Sequence, residues 1–354
     1  MSDSSPAIET KSLEIVNLRP VYRYATGSAI IMLVAMGADY TLSYLTPVLA
    51  LGFLAPGAKA PTLKSSVAFL VTIGAASLAG VMFTRFFLAF PLVFLPMLTL
   101  VIFHIYYTAS LQKMKMWLII SLLLIPMVSL EAASLGSMVA VNLFVNAFVA
   151  IILINLVYFI FPSHDTVIEG MKATAPPALS AYQRYDAALK NTLVVLPVLV
   201  LFFIFNWSNA LLVLIFIAIL SMNPATSNKK AGIAIIAANF GGGIAAIVAF
   251  NLLTVVPDII FLGLLVFLAG LLFGNVLFGK KPIAQLFGMA FSTFLLILGN
   301  VTSFRGEAGE AVWTRIFQLG IVVVYVVTAF ALVGYFSALK KNRNDDRIQH
   351  AHGS

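Results

Sequence analysis

The sequence has no cysteine, and acidic and basic residues together make up only 10% of its 354 positions. Without thiols the chain forms no disulfide and has no cysteine nucleophile. Because soluble proteins carry about 25% charged residues, this low charge excludes a water-soluble globule. The motifs HExxH, GxSxG and GxxxxGK[ST] are missing, and the four histidines lack metal-binding spacing. We therefore expect a protein that is not an enzyme and that holds no metal or cofactor.

Hydrophobic residues, in contrast, account for 61% of the chain. A bilayer core about 30 Å thick needs roughly 20 apolar residues per helix. Runs that approach or exceed this length recur along the sequence, at 66–84, 86–108, 116–130, 139–162, 231–250, 255–279, 283–299 and 313–338. The sequence therefore predicts an all-α polytopic membrane protein.

Two further apolar stretches, 24–55 and 191–222, are interrupted by polar residues near their middles. Asp39 and Pro47 interrupt the first, and the turn Asn206–Asn209 interrupts the second. As a single helix, either stretch of 32 residues would be about 48 Å long, too long for one unkinked span. As a helix pair, each leg would be about 22 Å long. Length alone therefore leaves open whether each stretch is one span or two.

The distribution of lysine and arginine favours the helix pairs, because cytoplasmic loops carry the excess of these residues. Two pairs give twelve spans and place 18 of the 21 lysines and arginines on the cytoplasmic side. Two fused spans would place only 12 of them there. We therefore predict twelve helices with both termini cytoplasmic. The net charge of +8 does not predict nucleic-acid binding, since no basic face interleaved with aromatic residues lies outside the apolar runs.

The turns LGFLAPGAKAPTLK (51–64) and AILSMNPATSNKK (218–230) place proline, small residues and lysine in similar order. Aligning the halves keeps offsets within 166–169 residues, pairing Arg23 with Lys190, Pro56 with Pro224, Lys64 with Lys230, Lys113 with Lys280 and Glu131 with Asn300. Six helices per half predict parallel repeats about a pseudo-two-fold axis along the membrane normal. The predicted organisation is a cytoplasmic segment 1–23, a first repeat 24–162, a linker with an interfacial helix 163–190, a second repeat 191–339 and a cytoplasmic tail 340–354.

Polar and ionisable residues within membrane segments are functional candidates because their burial in lipid is costly. The candidates for a substrate or proton path are Asp39, Tyr44, Arg85, His104, Glu131, Asn206, Asn209, Asn239, Asp258 and Asn300. Each also has a structural alternative. Asp39 could be a polar turn residue at the outer surface, Arg85 an outer-surface anchor rather than a cation for an anionic substrate, and Asp258 a helix cap.

Other candidates carry more specific expectations. His104 could relay protons, since its pKa lies near neutrality, or could be an ordinary interfacial histidine. Glu131 and Asn300 occupy equivalent places in the two halves. A carboxylate in one half and an amide in the other are what we expect of a duplicated site that has become asymmetric. Asn239 precedes the glycines of NFGGGIAA (239–246), which either pack helices closely or border a substrate path. Because each leg of a broken pair is short, we expect the pairs to meet at the pseudo-two-fold axis and to border a cavity open to the periplasm.

Both predicted repeats open with a basic residue before a short helix pair, in YRYATGSAIIMLVAMGADY (22–40) and LKNTLVVLPVLVLFFIFNW (189–207). A proline-small-lysine turn and a glycine- or alanine-rich third helix follow each pair. This layout, across most of residues 19–338, resembles the fusaric-acid-resistance and aromatic-acid-exporter superfamily. It is most similar to the small members without large cytoplasmic domains, and distantly similar to plant malate-type anion channels. The second half departs from the first, with Asn206 and Trp207 in place of Asp39.

The resemblance implies a multi-pass protein of the bacterial inner membrane that exports aromatic or other organic acids, driven by the proton gradient. It also implies a periplasmic membrane-fusion adaptor and an outer-membrane channel as partners, besides the organic-anion substrate and membrane lipid. The sequence is compatible with an oligomer. Two other functions stay open: a passive organic-anion channel of the same fold, and a membrane scaffold that transports nothing.

Overall fold

The structure, a computed structural model, describes residues 18–108, 112–162, 180–205, 229–279 and 283–303 together with Tyr325. These residues form helices, and no strand occurs among them. The helices are α1 (Arg19–Gly37), α2 (Leu45–Leu54), α3 (Leu63–Phe87), α4 (Pro91–Tyr107), α5 (Gln112–Ser129), α6 (Ala133–Ile160), α7 (Ala181–Phe205), α8 (Lys229–Val255), α9 (Ile259–Leu277) and α10 (Ala284–Ser303).

Six of these helices, α3 and α6–α10, contain apolar segments long enough to cross a membrane. Their outward faces carry large aliphatic side chains, such as Val71 and Leu78 on α3 and Leu264, Leu268 and Leu272 on α9, all more than half exposed. Contiguous apolar surface of this kind is rare on soluble monomers and marks contact with a membrane or a partner. The prediction of a polytopic α-helical membrane protein is confirmed at this level.

The direction of α1 serves as the reference for describing the other helices. We call the end of the bundle at which α1 begins the lower end, and the end at which α1 terminates the upper end. Helix α9 packs antiparallel to α1. A Cβ atom on Gly270 would lie 2.7 Å from the Ala25 Cα, and one on Gly263 would lie 2.6 Å from Leu33. Glycine therefore lets these two helices approach closely.

Helix α4 packs against α7 in a comparable antiparallel way, but through aromatic rings. Phe94 stacks on Phe203 with ring centres 5.3 Å apart, and Phe103 meets Tyr185 edge to face at 5.6 Å. Aromatic pairs in this distance range stabilise beyond the area they bury. Large side chains thus fill the α4–α7 contact, whereas the α1–α9 contact depends on small residues.

Two parallel contacts, α3 with α5 and α8 with α10, complete the described core. Each depends on one glycine that faces the backbone of the neighbouring helix. A Cβ on Gly80 would lie 2.8 Å from the Ser121 carbonyl oxygen, and one on Gly242 would lie 2.1 Å from that of Ala290. Helix α10 is the most enclosed of the six candidate spans, with 61% of its apolar segment buried.

The break that the sequence predicts within 24–55 is present, although α2 is shorter than expected. Residues 38–44 form a turn, and α2 holds only ten residues, about 15 Å of rise. In the turn, Asp39 and Leu42 have φ values of 49° and 63°. A left-handed backbone is unfavourable for a residue with a Cβ, so two such residues end α1 and delay the start of α2.

Helix α7 crosses the boundary that the sequence analysis drew at residue 190. It runs without interruption from Ala181 to Phe205, so the interfacial helix and the first membrane helix of the second half are one helix. Asp186 and Lys190 form an ion pair one helical turn apart just before that boundary, which stabilises the helix there. The predicted turn Asn206–Asn209, the outer loop 304–315 and most of the last apolar run, 313–338, lie outside the described residues.

Candidate functional site

The turn between α1 and α2 lies less than one bilayer thickness above the buried Arg23. Arg23 near the lower end is 14 residues from Gly37, which corresponds to a rise of about 21 Å. This is less than the roughly 30 Å of a hydrocarbon core. On α6, Tyr158 beside Arg23 and Asn146 beside the turn are 12 residues apart, which gives about 18 Å. If Arg23 marks the lower edge of the hydrocarbon core, the turn falls within that core, where lipid contact would leave its backbone polar groups unsatisfied.

A hydrogen-bond network centred on Asn146 encloses this turn. The Asn146 Nδ2 donates to the carbonyl oxygen of Thr41 at 3.2 Å, and its Oδ1 accepts from the Thr46 hydroxyl at 2.7 Å. The Thr46 hydroxyl also contacts the Tyr40 hydroxyl. Because the single Thr46 hydrogen points to Asn146, Tyr40 is the donor in that contact. Asn146 is fully buried, so α6 satisfies polar groups of the turn without water.

Helix α10 closes the turn from the other side. Tyr44, buried at the start of α2, packs so tightly on α10 that a Cβ on Gly299 would lie 2.6 Å from the Tyr44 Cβ. The Met36 sulfur accepts a weak hydrogen bond from the Ser43 hydroxyl at 3.5 Å and lies 3.7 Å from the Ser303 Oγ. The turn therefore meets the last turn of α10, which brings together the ends of elements from both halves of the sequence.

A second buried polar contact lies further down α10. The Thr293 hydroxyl donates to the Asn239 Oδ1 of α8, and both side chains are buried. Thr293 and the buried Asn300 are seven residues apart, so they occupy the same face of α10 two turns from each other. Thr293 lies halfway along α10. One face of the central helix thus carries buried polar groups from the middle of the bundle to the α1–α2 turn.

The structure divides the predicted site residues into buried and exposed ones. Tyr44, Asn239 and Asn300 are buried along α10, whereas Asp39, Arg85, His104, Glu131 and Asp258 are exposed. Asn206 and Asn209 lie outside the described residues. The buried subset therefore gathers at α10 and the α1–α2 turn. The paired positions Glu131 and Asn300 differ in environment, since one lies in an exposed turn and the other inside α10.

Asp258 has the structure of a helix cap. Its Oδ1 accepts hydrogen bonds from the backbone amides of Ile260 and Phe261 at 2.7 and 3.1 Å. These amides belong to the first turn of α9, where backbone donors have no partner within the helix. The capping alternative in the sequence analysis is confirmed. Among the described residues, no group of three histidine, cysteine, aspartate or glutamate side chains could hold a metal ion.

Sequence reasoning missed the two buried groups with the most specific contacts. Asn146 lies in the apolar run 139–162, and the spacing of four residues from Asn142 was the available signal, because such residues share a helix face. Arg23 is only 3% exposed, and its guanidinium lies 4.8 Å from the Tyr158 ring centre. The Tyr158 hydroxyl donates to the Phe53 carbonyl oxygen at 2.7 Å. The lower ends of α1, α2 and α6 thus meet around a buried cation, the Arg23 guanidinium.

No protein-family model, curated protein or solved structure matches this chain.

Proposed function

We propose that this chain is a secondary transporter of the bacterial inner membrane that exports aromatic or other organic acids, driven by the proton gradient. The observation that carries the proposal is the polar face of α10, from the buried Thr293 and Asn300 to the half-buried Ser303. Buried polar groups in a membrane helix are costly and mark transport paths. Their upper end meets the broken pair α1–α2, and discontinuous helices are typical of transporter binding sites.

The helix contacts support two parallel repeats. Exchanging α1 with α7, α3 with α8, α4 with α9 and α5 with α10 converts the α1–α9 contact into α7–α4, and the α3–α5 contact into α8–α10. A pseudo-two-fold axis along the membrane normal produces such an exchange. The proposal therefore includes twelve spans with cytoplasmic termini, in which the lower end of the bundle faces the cytoplasm.

The proposed family is the fusaric-acid-resistance and aromatic-acid-exporter superfamily, whose layout the two repeats resemble. Membership implies cooperation with a periplasmic adaptor and an outer-membrane channel. The upper end, with the α1–α2 turn and the exposed Asp39, would then face the adaptor. An energy source within the chain is not needed, because the proton gradient supplies it.

The pair Asn239–Thr293 is the proposed substrate contact at mid-membrane. An amide and a hydroxyl can donate to a carboxylate, and Gly243, one turn from Asn239 on the same face of α8, leaves the backbone accessible at close range. The first half offers a smaller counterpart, in which Ser77 and Ser121 are buried in the α3–α5 contact. The site is therefore asymmetric, with its stronger donors in the second half.

Transport by the purified chain in proteoliposomes tests this proposal, with an imposed pH gradient and a panel of radiolabelled hydroxybenzoates. We expect gradient-dependent transport of at least one acid. Asn239→Leu should reduce it about tenfold, the effect of one hydrogen bond of about 1.4 kcal/mol. Asn251→Leu is the matched control, since Asn251 is exposed on the same helix and its side chain, within the described residues, bonds to the Ile247 carbonyl oxygen of its own helix. Equal transport by both variants would remove Asn239 from the path.

Glu131 and His104 are the proposed proton carriers. The directions of α5 and α4 place them at opposite ends of the bundle. If either residue carries protons, Glu131→Gln or His104→Gln should abolish gradient-driven transport while the protein remains inserted and abundant. Full transport by both variants would exclude these two residues from the coupling.

A passive anion channel is the second candidate, and Arg23 is the observation that favours it. A buried cation at the lower end of α1 could attract anions into a path that needs no coupling. Transport of the same acid at equal rates with and without a pH gradient would favour the channel. A chain that transports none of the acids, yet retains its fold after Asn239→Leu, would favour the scaffold alternative.

A further inference from the structure

A pair of basic residues at the lower end has no part in the proposed transport path. Here α4 ends, and α5 and α7 begin. The Lys115 ammonium lies 3.4 Å from the Tyr106 carbonyl oxygen, and the Arg184 guanidinium lies 5.6 Å from the Tyr107 ring centre. Both cations are therefore held against the last turn of α4, one from each neighbouring helix.

The two cations lie close enough to repel each other. Lys115 precedes the apolar segment of α5, which begins at Met116. Burial first, and the charge of Arg184 second, lower the pKa of Lys115. Neither cation forms an ion pair with a carboxylate among the described residues. The nearby carboxylate of Asp186 pairs with Lys190 instead. Like charges in proximity are unfavourable unless a counter-charge is present.

The site is enclosed rather than spread over a solvated surface. Lys115 is only 9% exposed. The Arg184 Nε is buried and has no hydrogen-bond partner within the described part of the chain. A buried polar donor without a partner costs free energy. An anion with several acceptor oxygens, bound by the terminal guanidinium nitrogens and the Lys115 ammonium, would offset the repulsion.

Exposed tyrosines indicate the depth at which this pair lies. Tyr182 and Tyr185, on the first turns of α7, are 78% and 49% exposed. Tyrosine is enriched where the hydrocarbon core meets the headgroups, and the apolar segment of α5 begins one residue after Lys115. The two cations therefore lie at headgroup level, where the phosphate groups of lipids are concentrated.

We propose that Lys115 and Arg184 bind the phosphate group of an anionic phospholipid at the lower surface of the membrane, between α4, α5 and α7. Arg184 binds a phosphate through paired guanidinium donors, whereas Lys115 contributes a point charge. Basic sites between transmembrane helices on the cytoplasmic side are suited to such headgroups. A bound lipid would fix α7 to the α4–α5 end and so join the two halves of the sequence. The proposal is independent of what the protein transports.

Thermal unfolding of the purified full chain in detergent tests the site, with phosphatidylglycerol, phosphatidylcholine and inorganic phosphate as separate additives. We expect phosphatidylglycerol to raise the unfolding temperature at lower concentrations than phosphatidylcholine does. Lys115→Gln and Arg184→Gln should each raise the half-saturating concentration of phosphatidylglycerol about fivefold, the effect of one cation near a charged membrane. Arg184→Lys keeps the charge but loses the paired guanidinium donors, so its loss should be smaller than that of Arg184→Gln but still measurable.

Lys64→Gln is the matched control, because Lys64 is an exposed cation at the lower end of α3 and its removal changes the net charge equally. It should leave the phosphatidylglycerol response unchanged. An unaltered response in Lys115→Gln, or the same loss in Lys64→Gln, would overturn the proposed site. If inorganic phosphate alone reproduces the whole stabilisation, the ligand is a soluble oxyanion and the assignment to lipid is wrong.

Discussion

Replacing Asn146 by alanine should destabilise the fold more than its single position on α6 would suggest. Its side chain makes three hydrogen bonds, to the Thr41 and Asn142 carbonyl oxygens and to the Thr46 hydroxyl. Side-chain hydrogen bonds in membrane proteins average about 0.6 kcal/mol, so their loss gives about 2 kcal/mol. The unsatisfied Thr41 carbonyl oxygen raises the expected loss toward about 3 kcal/mol.

The measurement is the free energy of unfolding in mixed micelles, from titration with a denaturing detergent. Asn155→Ala is the matched control, since Asn155 is exposed on the same helix and its side chain, in the part of the chain that the structure describes, bonds to the Ile151 carbonyl oxygen of its own helix. We expect it to lose less than about 0.6 kcal/mol. A double-mutant cycle of Asn146→Ala with Thr46→Val should give a coupling energy of about 0.6–1.7 kcal/mol.

The comparison refutes the reasoning if Asn146→Ala is no more destabilising than Asn155→Ala. In that case the α1–α2 turn would obtain its hydrogen bonds elsewhere, and the enclosure by α6 would not be what stabilises it. A coupling energy near zero between Asn146 and Thr46 would show that the hydrogen bond between these two side chains does not stabilise the turn.

Two further predictions address helix packing and topology. Gly242→Ala should destabilise by more than about 1 kcal/mol, because its Cβ would lie 2.1 Å from the Ala290 carbonyl oxygen; Gly241→Ala, with open space around its Cβ, should be neutral or stabilising. Unfolding titrations of the two neighbouring variants compare them directly, and equal losses would contradict the close approach of α8 and α10. Cysteines introduced into this cysteine-free chain should label only from the cytoplasm at Ala60 and only from outside at Gly309. Labelling of Ala60 from outside would contradict twelve spans.

Local physical chemistry predicted much of the helical architecture. Apolar runs of bilayer length predicted membrane helices, because such runs need a hydrocarbon environment to be stable. The polar interruption near Asp39 predicted the break after α1, and the proline before Asp258 marked the start of α9 and its cap. These features depend on a few adjacent residues, so the sequence contains them without reference to distant contacts.

Helix limits were less predictable where neighbouring segments compete. The sequence suggested a boundary at residue 190, where charge gives way to an apolar run, but α7 continues through it. A change from polar to apolar surface does not interrupt the backbone hydrogen bonds of a helix. The extent of α2 depended in turn on two left-handed residues, Asp39 and Leu42, in a turn that contacts α6 and α10 through its neighbouring residues.

The sequence by itself determined that this chain is a membrane protein built from apolar helices, because hydrophobicity and length are properties of single segments. Only the tertiary structure decided which polar residues are buried together. Asn146 reaches a turn that is 105 residues away in the chain, and Thr293 reaches Asn239 over 54 residues. The reason is that burial of a polar side chain depends on the helix it faces, and the order of helices in space is set by the packing of all their surfaces at once.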